Sequence, residues 1–134
     1  MNLNWSFHHV GMACRDIASE ASDLRALGYC DESDDIVDPI QRVRIRFMVG
    51  MGPRIELIQP LTPDSPVQGL IKRGTKYYHL AFETSQFKEM IAQLEKHDYR
   101  AITDVVPAVA FSMRSIVFMI SPTMSIVELI EAAP

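Results

Sequence analysis

The chain has 134 residues, 48% of them hydrophobic and 22% charged, with a formal net charge of -4 and a pI near 5.5. That length makes one domain with room for its own core, and the acidic balance argues against nucleic acid or an acidic membrane as partner. Cys14 and Cys30 make no CxxC or zinc-ribbon spacing, and Met1-Asn2-Leu3-Asn4-Trp5 lacks the basic-then-apolar build of a secretion signal. No stretch approaches the roughly 18 apolar residues of a membrane span, so a reduced, cytoplasmic protein is the expectation.

Phe7 to Ala13 reads as a first strand. Asp16 is a good helix N-cap, and Ile17, Ala21, Leu24 and Leu27 follow on one helical face until Gly28 ends the run with a left-handed cap. Cys30 to Asp38 is an acidic loop or frayed strand. Its five carboxylates lack the central Gly and terminal Glu of a calcium loop. Gln41 to Val49 alternates, with Val43, Ile45 and Phe47 on one face and Arg42, Arg44 and Arg46 on the other. The turn residues Gly50 to Pro53 lead into a strand around Glu56 that stops at Pro60. A connector from Thr62 to Gly74 has room for a short helix at Val67 to Lys72.

The pattern then repeats. Tyr77 to Glu83 is a strand, and Ser85 caps a helix carrying Phe87, Met90, Ile91 and Leu94 on one face. Two strands follow, Ile116 to Ile120 and Ser125 to Ile130. His9 and His79 are 70 residues apart, as are Tyr29 and Tyr99, while Glu56 and Glu128 are 72 apart. This is an internal duplication of a βαβββ unit, with modules at about residues 5–60 and 76–132. One helix per run of strands points to an α+β architecture with helices on one side of each sheet.

Glu128 stands out. It lies in Ser125-Ile126-Val127-Glu128-Leu129-Ile130, a strand apolar on both faces, and Glu56 lies in the similar Ile55-Glu56-Leu57-Ile58. A carboxylate buried in such a strand costs several kcal/mol, by order of magnitude, unless a cation or metal compensates it. Each half thus offers one strand His and one strand Glu. Two imidazoles and two carboxylates suit a borderline divalent ion: Zn, Ni, Co, Mn or Fe.

These residues resemble the vicinal oxygen chelate (glyoxalase-like) superfamily. The resemblance is carried by His9-Val10-Gly11-Met12-Ala13 with Asp16-Ile17, Ile55-Glu56-Leu57-Ile58-Gln59-Pro60, Asp64-Ser65-Pro66, His79-Leu80-Ala81-Phe82-Glu83 and Val127-Glu128-Leu129, across nearly the whole chain. It implies one domain of two modules, forming a curved mixed sheet around a central metal and ligand cavity with the helices outside. It also implies His9, Glu56, His79 and Glu128 as ligands of a divalent metal, and allows a homodimer. Within the superfamily the pattern is most similar to methylmalonyl-CoA epimerases, with two departures. Tyr78 stands where that family usually has a second His, and Gln41 to Gly50 holds arginines but no carboxylate where the family carries an acid/base Glu.

The chemistry implied is proton transfer at a carbon next to a carbonyl, on an acyl thioester or related anionic substrate. Glu128 and Glu83 are the candidate bases, and Tyr77 a candidate donor to an enolate oxygen, because Tyr77, His79, Ala81 and Glu83 share one strand face. In this fold Val43, Ile45 and Phe47 are expected to pack on a helix. That would send Arg44 and Arg46, with Arg42, toward the ligand side, where they favour a carboxylate or phosphate. By resemblance, Phe111 and Met113 border the ligand. The other readings are a glyoxalase I-type lyase (lactoylglutathione lyase) and a metal-free binding or resistance protein of the same fold.

Overall fold

The duplication read from the sequence is visible in the order of elements. The structure, a computed structural model, describes residues 4–134; residues 1–3, which open the stretch read as lacking a secretion signal, lie outside the described residues. Strand β1 (Trp5–Ala13) leads to helix α1 (Ile17–Ala26), two short strands β2 (Cys30–Asp31) and β3 (Ile36–Asp38), and two long ones, β4 (Val43–Val49) and β5 (Ile55–Pro60). After α2 (Val67–Lys72) the series recurs as β6 (Tyr77–Thr84), α3 (Phe87–Lys96), β7 (Arg100–Ala101), β8 (Val106–Ala108), β9 (Arg114–Ile120) and β10 (Ile126–Glu131). The described residues form ten strands in a mixed sheet and three α-helices, an α+β fold. The βαβββ units are present, each with its second strand interrupted: β2 and β3 both pair antiparallel with β4, as β7 and β8 do with β9.

The chain divides into two compact units, residues 9–78 and the segment up to His8 together with residues 79–134. In the first unit β5 runs parallel to β1 and antiparallel to β4. Helix α1 begins as expected, with Asp16 Oδ2 accepting from the Ser19 backbone N–H at 3.1 Å, and ends with Gly28 at φ +91. Its apolar face, Ile17, Ala21 and Leu24, packs on Met12, Met48, Ile55 and Leu57. Leu27 does not join that face. It is the C-cap residue and is 73% exposed, because the helical turn has already ended there.

In the second unit β10 lies between β6, parallel, and β9, antiparallel. Met90 of α3 sits in a core with Val117, Met119 and Leu129, flanked by Phe87, Ile91 and Leu94. Asp98, with φ +64, takes the left-handed position that Gly28 fills in the first unit. Ser85 is not the helix cap. Gln86 holds that position with no side-chain cap bond, and the Thr84 hydroxyl accepts from the Gln86 N–H at 3.0 Å instead. Thr84 is buried at the strand end, and the Ser85 hydroxyl instead accepts from Asn4 Nδ2 at 3.4 Å.

Candidate functional site

Strand alternation and register decide which side chains meet. In the first unit Met12 and Cys14 (β1 and just beyond), Met48 (β4) and Ile55 and Leu57 (β5) belong to the core under α1. The intervening residues therefore occupy the opposite face: His9 on β1, Val43, Ile45 and Phe47 on β4, Glu56 and Ile58 on β5. Phe47 stands directly across from Glu56 in the β4–β5 ladder. On this face His9 Nε2 lies 3.5 Å from Glu56 Oε1, and the Phe47 ring meets the His9 ring edge-on at 5.5 Å.

The second unit repeats the arrangement. Val127 and Leu129 face α3, so Ile126, Glu128 and Ile130 face away, beside His79, Ala81 and Glu83 of β6 and Ile116, Phe118 and Ile120 of β9. Glu128 is across from Phe118 in the β9–β10 ladder. His79 Nε2 is 3.2 Å from Glu128 Oε1, and Phe118 meets the His79 ring edge-on at 5.0 Å. The side chains of His9 and His79 are fully buried, and Glu56 and Glu128 nearly so. Phe47 and Phe118 extend the duplication to a third residue per unit. Their 71-residue separation was available in the sequence.

The donor set fits a metal ion in chemistry and spacing. Two ligands each about 2.0–2.2 Å from one ion, at angles between octahedral and tetrahedral, stand about 2.9–3.5 Å apart. The His–Glu separations of 3.5 and 3.2 Å lie in that interval. The anionic partner of each pair is nearly buried, where a cation would offset the cost of desolvating it.

The β4 arginines correct the expectation. Arg44 and Arg46 share the Met48 face, on the α1 side of the sheet, and Arg46 lies across from Leu57. They point away from His9 and Glu56. Arg46 binds Asp35 at 2.7 Å and approaches Asp31 at 3.5 Å, while Arg44 is 3.9 Å from Asp35. The hydrogen bond to the Asp35 carboxylate raises the Arg46 guanidinium above its usual pKa. Arg42 is not in the strand at all. It has φ +59 and pairs with Asp64 at 3.0 Å. Asp31 and Asp35 of the acidic stretch thus serve as partners for Arg46, and Asp35 for Arg44.

Glu83 shares the face of His79 and Glu128, as its position predicts, but its carboxylate is held by Arg114 Nη1 at 2.8 Å. Tyr77, at the start of β6, is 59% exposed. Phe111 is buried in a 3-10 turn (Val109–Phe111) and packs edge-on against the His8 ring, whereas Met113 is exposed with φ +65.

Comparison with known proteins agrees with this fold. The sequence profile of the Glyoxalase/Bleomycin resistance protein/Dioxygenase superfamily matches residues 8–118. The uncharacterized protein YqjC of Bacillus subtilis (strain 168) is 31% identical over 116 residues, covering 85% of this chain and 81% of that protein. Mitochondrial methylmalonyl-CoA epimerase of Mus musculus is 24% identical over 99 residues, covering 72% of this chain and 56% of that protein, so the match spans little more than half the mouse enzyme. Among solved structures, a Streptomyces coelicolor methylmalonyl-CoA epimerase variant in complex with 2-nitronate-propionyl-CoA superposes with a TM-score of 0.78 at 25% identity, over 98% of this chain and 96% of that one. The chain belongs to the Glyoxalase/Bleomycin resistance protein/Dioxygenase superfamily.

Proposed function

We propose that His9, Glu56, His79 and Glu128 together hold one divalent metal ion, and that the protein is an epimerase or isomerase moving a proton at the carbon beside the carbonyl of an acyl thioester. The observation that carries this reading is the double construction of one motif. Each unit buries a His–Glu pair on a strand face, with a Phe edge-on to the imidazole. All four side chains are metal-capable and buried. The acyl-CoA analogue bound to the Streptomyces relative supports that substrate class.

A bound ion would polarise the substrate carbonyl and stabilise negative charge developing on its oxygen. The chain's own residues divide the remaining tasks. Glu128, buried beside His79, is our choice for the base that takes the proton. Glu83 shares its face and is the second carboxylate there, restrained by Arg114. The β4 residues on the His9 face, Val43, Ile45 and Phe47, are apolar and buried; they exclude water from that side and supply no acid. Tyr77 and Met113, both exposed, and buried Phe111 are assigned to contact with the substrate.

The deciding experiment combines metal analysis with two assays on one preparation. Purified protein supplied with Co, Ni, Mn or Zn should take up one ion per chain. It should then exchange the α-hydrogen of methylmalonyl-CoA for solvent deuterium, and chelation should stop the exchange. Product thioester from a glutathione hemithioacetal, without α-exchange, would assign the lyase reaction instead. Uptake of less than one ion per chain sinks the metal reading.

A further inference from the structure

The cationic group on the proposed substrate face is Arg114, and its surroundings are those of an anion-binding group. Arg114 opens β9 and by alternation lies on the side of Ile116 and Phe118, the face that carries Glu128. Three hydrogen bonds fix its guanidinium. Nε donates to the Phe111 carbonyl at 2.9 Å, and Nη1 donates to Glu83 Oε2 and to the Glu131 carbonyl, both at 2.8 Å. The Phe111 ring lies 5.9 Å beneath it. A guanidinium has five N–H donors. The three bonds engage Nε and Nη1, so the two Nη2 N–H groups are directed at no acceptor among the described residues, and 23% of the side chain is exposed. A guanidinium held rigidly through Nε and Nη1, with its Nη2 N–H groups open, loses little freedom when it binds an oxyanion.

Register gives the distance of this group from the reacting centre. Ala81 is across from Glu128, and Glu83 lies two residues further along β6. Phe118, also across from Glu128, lies four residues beyond Arg114 on β9. At about 3.3 Å per residue, the Arg114–Glu83 pair lies roughly 7–13 Å from Glu128 along the strands. Between backbone positions, that separation suits a second anionic group elsewhere on the substrate.

Resting on the function proposed above, we infer that Arg114 binds a carboxylate or phosphate on the substrate remote from the reacting carbon, with Glu83 as its counter-ion in the unliganded state. Glu83 then tunes affinity, because its carboxylate competes with the ligand for the same guanidinium.

Titration calorimetry on chelator-treated protein tests this with two probes: glutarate for a carboxylate on the acyl part, and adenosine 3′,5′-bisphosphate for a phosphate on a carrier. Wild type should bind one of them, and which one names the source. Arg114→Gln should weaken that probe by about tenfold or more, while Arg46→Gln, on the opposite face, should leave it within about twofold. Glu83→Gln should tighten it, by about threefold or more, because a competing charge is gone. That opposite sign separates ligand binding from a merely structural ion pair, and it decides the matter should Arg114→Gln fail to fold. Binding of neither probe up to about 50 mM overturns the inference, as does an Arg114→Gln variant that binds like wild type or a Glu83→Gln variant that binds more weakly. Metal uptake is measured separately on the same proteins. A wild type that binds anion but no metal refutes the proposed chemistry; one that binds metal but no anion refutes only this role for Arg114.

Discussion

Replacing Glu128 with Gln should act in opposite directions on the metal-free and metal-loaded proteins. The residue is 2% exposed, and its Oε1 lies 3.2 Å from His79 Nε2. Glutamine is nearly isosteric and removes one buried negative charge. Without metal the variant should therefore be as stable as wild type or more so, by up to about 3 kcal/mol, since a buried amide costs less to desolvate than a carboxylate. With metal the sign reverses. An ion at 100 times its dissociation constant stabilises the native state by about 2.7 kcal/mol, or roughly 10 °C in Tm for a domain of this size. If losing an anionic ligand weakens binding about 100-fold, the same concentration adds only about 0.4 kcal/mol, a shift of roughly 1–2 °C. Thermal unfolding of both proteins with chelator and with Co or Zn measures all four values. A Gln variant that is less stable than wild type without metal, yet keeps the full metal-induced shift, would refute the assignment of Glu128 as a ligand.

Phe118→Leu should keep the fold but weaken metal binding by about tenfold, because the edge-on ring that orients His79 is lost; metal titration of the variant checks this. Leu24→Ala should cost about 2–5 kcal/mol in a denaturant titration, since Leu24 is buried under α1. Leu27→Ala, at the exposed C-cap just past the same helix, should stay within about 0.5 kcal/mol. Of the two cysteines, exposed Cys30 should react with iodoacetamide in the native state while buried Cys14 does not. Burial pushes the Cys14 thiol up to about 11 from 9.0, so the folded state holds its proton more tightly than the unfolded chain does. The resulting stabilisation is complete below pH 9 and declines as pH rises from 9 to about 11. A Cys14→Ala variant should lose that part of the alkaline slope in pH-dependent unfolding.

Much of this protein is determined locally and is therefore readable in the chain. Helix α1 is announced by Asp16 and Gly28 because capping and left-handed geometry depend on a few neighbouring residues. The His–Glu pairs are legible because a carboxylate between apolar strand residues is costly, and because it recurs at the same spacing in both halves. Alternation in β4 separates Phe47 from Arg46, but it has no sign: it says which residues share a face, not which face a helix covers. Only tertiary packing decided that, by placing Met48 against α1 and thereby turning Phe47 toward His9 and the arginines away. Arg114 carries no signal in the chain for the same kind of reason. Its partners Glu83 and Phe111 are brought to it by strand pairing and by a turn, and a pairing across 31 residues has no local signature.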